Sequence, residues 1–282
     1  MKWQGREESE NIEDRRGVSG RQVAMGGGLF GIIILVVGLL LGGDPQQLFS
    51  DFFNQRQQTS SNTTATTSQE EENLKKFVSV VLKDNETIWT RIFSQNNMRY
   101  AQPTMVFFDD ATQSPCGMAS AQTGPFYCPA DQKIYLSKYF FTELTQRLGA
   151  KGDFALAYVI SHEVGHHIQH LLGTANKVRQ AQSRVNEVQS NRYQVAMELQ
   201  ADFYAGVWAH YNQQINNALE EGDIEEAMSA ANAVGDDRLQ KRSQGYVNAD
   251  AFTHGTSEQR MYWFMRGYKS GDLNQGNTFE NM

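Results

Sequence analysis

The 282-residue chain has only two cysteines, no run of lysines or arginines longer than two, and no internal repeat. Each absence removes a class. Two cysteines cannot build a four-thiolate metal site, since zinc-binding cysteines come close together and in fours. A net charge of -7 and a pI near 5.4, with lysine and arginine nowhere running beyond adjacent pairs, argue against a nucleic-acid partner, because phosphate contacts need an extended basic surface. The missing repeat sets aside solenoid architectures. What is present is enough for a real core: 40% of the residues are hydrophobic, which suits one good-sized domain with accessory segments, or two small ones.

One long apolar run stands out. "VAMGGGLFGIIILVVGLLLGG", residues 23–43, carries no charge over about the ~20 residues that a membrane-spanning helix requires. Lys2, Arg6, Arg15, Arg16 and Arg21 precede it, whereas only Arg56 follows within the next thirty residues. This asymmetry predicts a cytoplasmic N-terminus; the acids Glu7, Glu8, Glu10, Glu13 and Asp14 do not alter it, because orientation follows Lys and Arg. No A-x-A-like site follows the run, so it reads as an uncleaved anchor rather than a signal peptide. "NQRQQTSSNTTATTSQEEEN" (54–73) has almost no apolar side chains and reads as a flexible tether. The expected organisation is a cytoplasmic segment 1–22, a transmembrane anchor 23–43, a polar linker 44–69 and a folded domain 70–282 outside the cytoplasm, periplasmic or at the cell surface.

Within that domain, Leu74, Phe77, Val78, Val81 and Leu82 follow the i, i+3, i+4 spacing of an amphipathic helix. "PTMVFFDD" (103–110), "SAQTGPFYCP" (120–129) and "QKIYLS" (132–137) are short β-type runs broken by Pro, Gly and Asp. From Asp153 onward the pattern is helical, with breaks near Gly173, Gly222, Gly235 and the loop 243–257. The fold class is α+β: a mostly helical domain with a small antiparallel sheet. Cys116 and Cys128, flanked by Pro115 and Pro129, read as a disulfide in an extracytoplasmic domain, with two free thiols as the alternative.

The chemistry concentrates in "AYVISHEVGHHIQHLLG" (157–173). An α-helix advances about 100° per residue, so His162 and His166 project from one face a turn apart and can bind one metal ion, with Glu163 alongside as a general base. Such a site needs a third protein ligand. A continuation with Gly at 169 and His at 172 is excluded, because the sequence has Gln169 and Leu172. "VAMELQADFYAG" (195–206) instead offers Glu198 and Asp202, four apart on an otherwise apolar helix, where acids are costly unless paired or metal-bound. His167 and His170 point about 140° and 80° away from His162, so they read as core or supporting groups, and His210 as packed or solvated.

His-Glu-x-x-His followed by Glu-x-x-x-Asp resembles the gluzincin, thermolysin-like peptidases. With "GPFYCPADQKIYL" upstream and "HGTSEQR" downstream, the string resembles the bacterial putative neutral zinc metallopeptidase family over roughly residues 70 to 270 plus the N-terminal anchor. The resemblance implies that His162, His166 and Glu198 bind one Zn²⁺ per chain, that Glu163 polarises the water, and that Asp202 accepts a hydrogen bond from a ligand histidine. It also makes His254 the candidate oxyanion stabiliser, with Tyr193, Tyr204 and Arg260 as competitors; "HGTSEQR" would equally serve to cap the last helix, with Thr256 or Ser257 as N-cap. The partner is then a protein or peptide substrate, held as an added strand by "SAQTGPFYCP", and the function a membrane-anchored zinc endopeptidase. Two other functions stay open: a zinc-stabilised envelope protein that binds a partner without cutting it, and a zinc hydrolase of a non-peptide amide.

Overall fold

The computed structural model describes residues 1–17, 66–120 and 123–280, with side chains omitted at 66–68 and 147. The apolar run 23–43 and nearly all of the expected linker lie outside the described residues. Among the described residues no helix is long and apolar enough to cross a membrane.

A layer of helices packs on one small sheet. After β1 (Ile12–Asp14) come α1 (Thr66–Gln95), β2 (Thr104–Phe108), the hairpin β3 (Ala111–Ser114) and β4 (Gly117–Ser120), β5 (Phe126–Cys128) and β6 (Lys133–Ser137). A short helix α2 (Phe140–Thr142) continues into a π-turn, Glu143–Arg147. Then follow α3 (Asp153–Leu171), α4 (Thr174–Gln182), α5 (Glu187–Asn216), α6 (Asp223–Ala233), α7 (Asp236–Gln244) and α8 (Ser257–Ser270).

The helices form where the apolar period and the caps predict. Asn186 caps α5 by accepting from the Gln189 N–H, and Thr256 with Gln259 makes a reciprocal capping box at the start of α8. Helix α3 is buried on nearly every face, from Phe154 to Gln169, and α5 crosses it closely. Gly165 makes that approach possible: a Cβ there would sit 2.9 Å from the Ala201 carbonyl oxygen and 3.0 Å from the Ala201 Cα. Helices α5 and α8 meet at Gly206 and Gly267 in the same manner, each glycine facing backbone of the other helix.

The sheet corrects the expectation of an antiparallel one. Its order is β1-β2-β6-β5, with β1, β2 and β6 parallel and only β5 antiparallel to β6. Parallel neighbours need a long crossover. Residues 109–132 provide it between β2 and β6, carrying the separate β3-β4 hairpin and β5 on the way. The Cys116–Cys128 disulfide ties the turn of that hairpin to β5.

A second correction concerns the N-terminus. Residues 1–17 are not a segment apart from the domain; they are folded into it. Met1 is buried, its ammonium 2.8 Å from Asp153 and 3.2 Å from Asp223. Trp3 packs edge-on against Phe77, and Arg6 pairs with Asp84 on α1. Ser9 and Asn11 both donate to the Glu86 carboxylate, at 2.6 and 2.7 Å. Strand β1 then adds to β2 with Ile12 opposite Met105, and Arg16 reaches Glu72 at 2.6 Å while lying over the Phe107 ring. The domain therefore does not consist of 70–282 alone, and α1 begins at Thr66, inside the expected linker. Of the arginines counted as an orientation signal, Arg6, Arg15 and Arg16 are ion-paired within the fold, and Arg21 lies outside the described residues.

Candidate metal centre

Helices α3 and α5 bring His162, His166 and Glu198 together, although Glu198 is 32 residues further along the chain than His166. One ligating atom from each lies within 4.8 Å of the others. The Glu198 carboxylate stands 3.1 Å from His162 Nε2 and 3.5 Å from His166 Nε2. Its other oxygen accepts from the Gln194 amide at 3.0 Å. All three residues sit on the floor of a cleft of about 970 Å³.

The opposite ring nitrogens are engaged, which determines what the inner ones can do. His162 Nδ1 donates to Asp202 at 2.8 Å, and His166 Nδ1 to the Gln169 side-chain oxygen at 2.9 Å. With Nδ1 engaged on both rings, both Nε2 atoms are turned toward the same Glu198 carboxylate oxygen. Two imidazole nitrogens and one carboxylate, with their tautomers held by buried acceptors, are the donor set of a catalytic zinc site. The residues fit the metal.

Asp202 is held by four hydrogen bonds from three residues. Arg260 grips it through Nε at 2.8 Å and Nη2 at 3.0 Å, the Tyr158 hydroxyl donates to it, and His162 completes the set. Burial by itself pushes the Asp202 carboxyl up, but the Arg260 and His162 charges prevail and hold it at about 2. For His162, burial pushes the pKa down, while the Asp202 and Glu198 carboxylates overcome it and raise it to about 10 in the metal-free chain. Glu198 is pushed up by burial, yet the two histidines keep it well below the usual carboxylate range. Both acids are thus held ionised, Glu198 as a ligand and Asp202 as the acceptor for His162.

Glu163 is buried beside His162 and lines the cleft. His254 lines the same cleft from the loop before α8, half-exposed, with its backbone N–H and Nδ1 on the Asp236 carboxylate. Arg260 reaches the cleft too, but its guanidinium is buried and committed to Asp202. Tyr204 is packed edge-on against Trp89 in the core, and Tyr193 is not part of the cleft wall.

His167 stands outside the triad. It bridges two elements, accepting from the Tyr127 hydroxyl of β5 at 3.1 Å and donating to the Ala101 carbonyl at 2.6 Å. Burial lowers its pKa to about 4, so it stays neutral in that role. His170 lines the cleft near Tyr127 without joining the triad, and His210 is bonded to the Tyr268 carbonyl.

Two contributors, Gln169 and Asp236, are not among the residues expected from the sequence. Gln169 is fully buried, orienting His166 on one side and donating to the Met197 carbonyl and Gln200 on the other. Asp236 shapes the His254 loop by accepting from the N–H groups of Thr253, His254 and Gly255. A burial pattern on α3 could have marked Gln169, a polar residue on an apolar face; nothing local marks Asp236.

No solved structure matches the chain. It is 47% identical to the uncharacterized protein YpfJ of Escherichia coli over 285 residues, 99% of each chain. It is also 41% identical to the uncharacterized protein Rv2575 of Mycobacterium tuberculosis over 191 residues, 64% of this chain and 63% of that one. The family described as putative neutral zinc metallopeptidase matches residues 1–279, a span that takes in both the metal centre and the N-terminal segment. On that match the chain belongs to the putative neutral zinc metallopeptidase family.

Proposed function

We propose that the protein is a zinc-dependent endopeptidase acting on protein or peptide outside the cytoplasm. The observation that carries this reading is the placement of His162, His166 and Glu198 on the floor of an open cleft with Glu163 beside them and an edge strand along one wall. Strand β5 is the sheet edge, and Phe126 and Tyr127 line the cleft, so an extended peptide has backbone groups to pair with there.

Zinc held by the three ligands would polarise the scissile carbonyl and lower the pKa of water to about 7. Glu163 takes the proton of the attacking water as the oxygen bonds to the carbonyl carbon. It returns that proton to the nitrogen as the C–N bond breaks, which leaves the carboxylate as it began. His254, oriented by Asp236, is our candidate for the group that donates to the developing oxyanion.

The disulfide supports an oxidising compartment. Membrane attachment through residues 23–43 belongs to the proposal, and the packing of residues 1–17 on the catalytic domain favours an insertion that enters and leaves the bilayer on one side.

Two neighbouring carboxylates test the reading. Glu198→Ala should lose zinc and some stability with it. Glu163→Gln should keep zinc near one per chain and cut peptide hydrolysis by ~10²- to 10⁴-fold, the range of general acid–base catalysis. A zinc-loaded chain that cleaves nothing in a broad peptide set would leave the partner-binding function in its place.

A further inference from the structure

Helix α7 places Arg238, Lys241 and Arg242 at i, i+3 and i+4, hence on one face. All three are exposed, and among the described residues none of their side chains has a carboxylate partner. The two acids of the same helix are turned elsewhere: Asp236 onto the loop 253–255 and Asp237 onto Ser257. Three unpaired cations on one face repel one another, and an acidic protein has carboxylates to spare for pairing.

This face is not on a distant surface. Arg238, Lys241 and Arg242 line a pocket of about 280 Å³ with Leu148, Ala233 and Leu239. Leu148, Leu239 and Arg242 also line the large cleft, so the pocket opens from it. Arg179 of α4, likewise exposed and unpaired among the described residues, lines that cleft as well.

We infer that the α7 face is a substrate subsite, in which the three cations hold carboxylates of the peptide while Leu148 and Leu239 make the apolar contact. The substrate class is an acidic peptide segment. This rests on the peptidase reading above, and deepens it by stating which peptides the cleft favours. Exposed ion pairs are weak singly, so two or three formed together should give about a tenfold preference.

The test uses the purified full-length chain, zinc-loaded, and internally quenched peptides of one neutral core with a flank of Asp and Glu, of Asn and Gln, or of Lys. The acidic flank should raise kcat/KM over the Lys flank by about tenfold at low salt, mainly through KM. The difference should shrink as the Debye length falls from ~10 Å at 0.1 M salt to ~3 Å at 1 M. In the Arg238→Glu, Lys241→Glu, Arg242→Glu chain the order should invert, with Lys-flanked peptide preferred. A folding defect would instead depress all three peptides alike, and the single Arg242→Glu chain, altered only at an exposed side chain, then decides whether the preference moves. Equal cleavage of the three peptides by the native chain, or an acidic preference that survives charge reversal, overturns the subsite. Absence of all cleavage, or cleavage undiminished by Glu163→Gln, overturns the peptidase reading beneath it.

Discussion

At the scale of single residues, Asp202 has the most exacting position. It is fully buried, and its charge is compensated by Arg260 on one side while it accepts from His162 and Tyr158 on the other. Such a carboxylate makes the imidazole a better donor and keeps its ring from turning. Asp202→Asn removes the charge and preserves the shape, so zinc affinity should fall by roughly 10- to 100-fold with the fold retained. A competition titration against a chelator of known affinity measures it, and an unchanged affinity would show that the hydrogen bond to His162 has no part in ligation. Arg260 was legible in the sequence only as a possible oxyanion group. Its role beside Asp202 depends on α8 crossing α5, and that crossing is set by Gly206 and Gly267 rather than by anything near residue 260.

At the scale of elements, the metal centre exists because α3 and α5 touch. Their contact at Gly165 and Ala201 is close enough that one methyl group cannot enter without moving backbone. Gly165→Ala should therefore cost about 1–3 kcal/mol, as overpacking typically does, even though alanine is the better helix former. Because Gly165 lies between the two histidines, separating the helices also draws Glu198 away from them. Denaturant unfolding and zinc affinity should fall together. Unaltered stability would mean that the helices have slack at this point. Both helices were readable from their apolar period, and Glu198 from the cost of burying an acid; the polarity of the sheet was not. Residues 104–108 and 133–137 are buried at every position after the first, on both faces, and short apolar runs of this kind do not by themselves name the direction of their neighbour, so the path of residues 109–132 decided the pairing.

At the scale of the whole molecule, the N-terminal segment and the catalytic helices form one folded unit. Burial of Met1, Trp3 and Ile12 side chains against the core anchors the segment more firmly than its surface ion pairs, which are individually worth little. Both parts must then share a compartment. Glu10 and Glu258 are exposed, and both native cysteines are in the disulfide, so Glu10→Cys and Glu258→Cys chains each present a single reactive thiol. In intact cells a membrane-impermeant maleimide should label both or neither. Labelling of Glu258→Cys alone would put a bilayer between them and leave β1 out of the sheet.

The sequence by itself determined what local pattern controls: which segments are helical, which face of α3 carries His162 and His166, and which acids on α5 had no reason to be buried unless they met a cation or a metal. Its chain-wide arithmetic was less secure, since a count of arginines ahead of an apolar run cannot distinguish a residue that faces phospholipid from one that faces Asp84, Glu13 or Glu72. Only the tertiary structure decided that residues 1–17 complete the sheet, that Gln169 and Arg260 hold the ligands and their support, and that the α7 cations line a pocket beside the cleft. Each of these is a contact between segments far apart in sequence, made by shape and charge complementarity that no single segment contains.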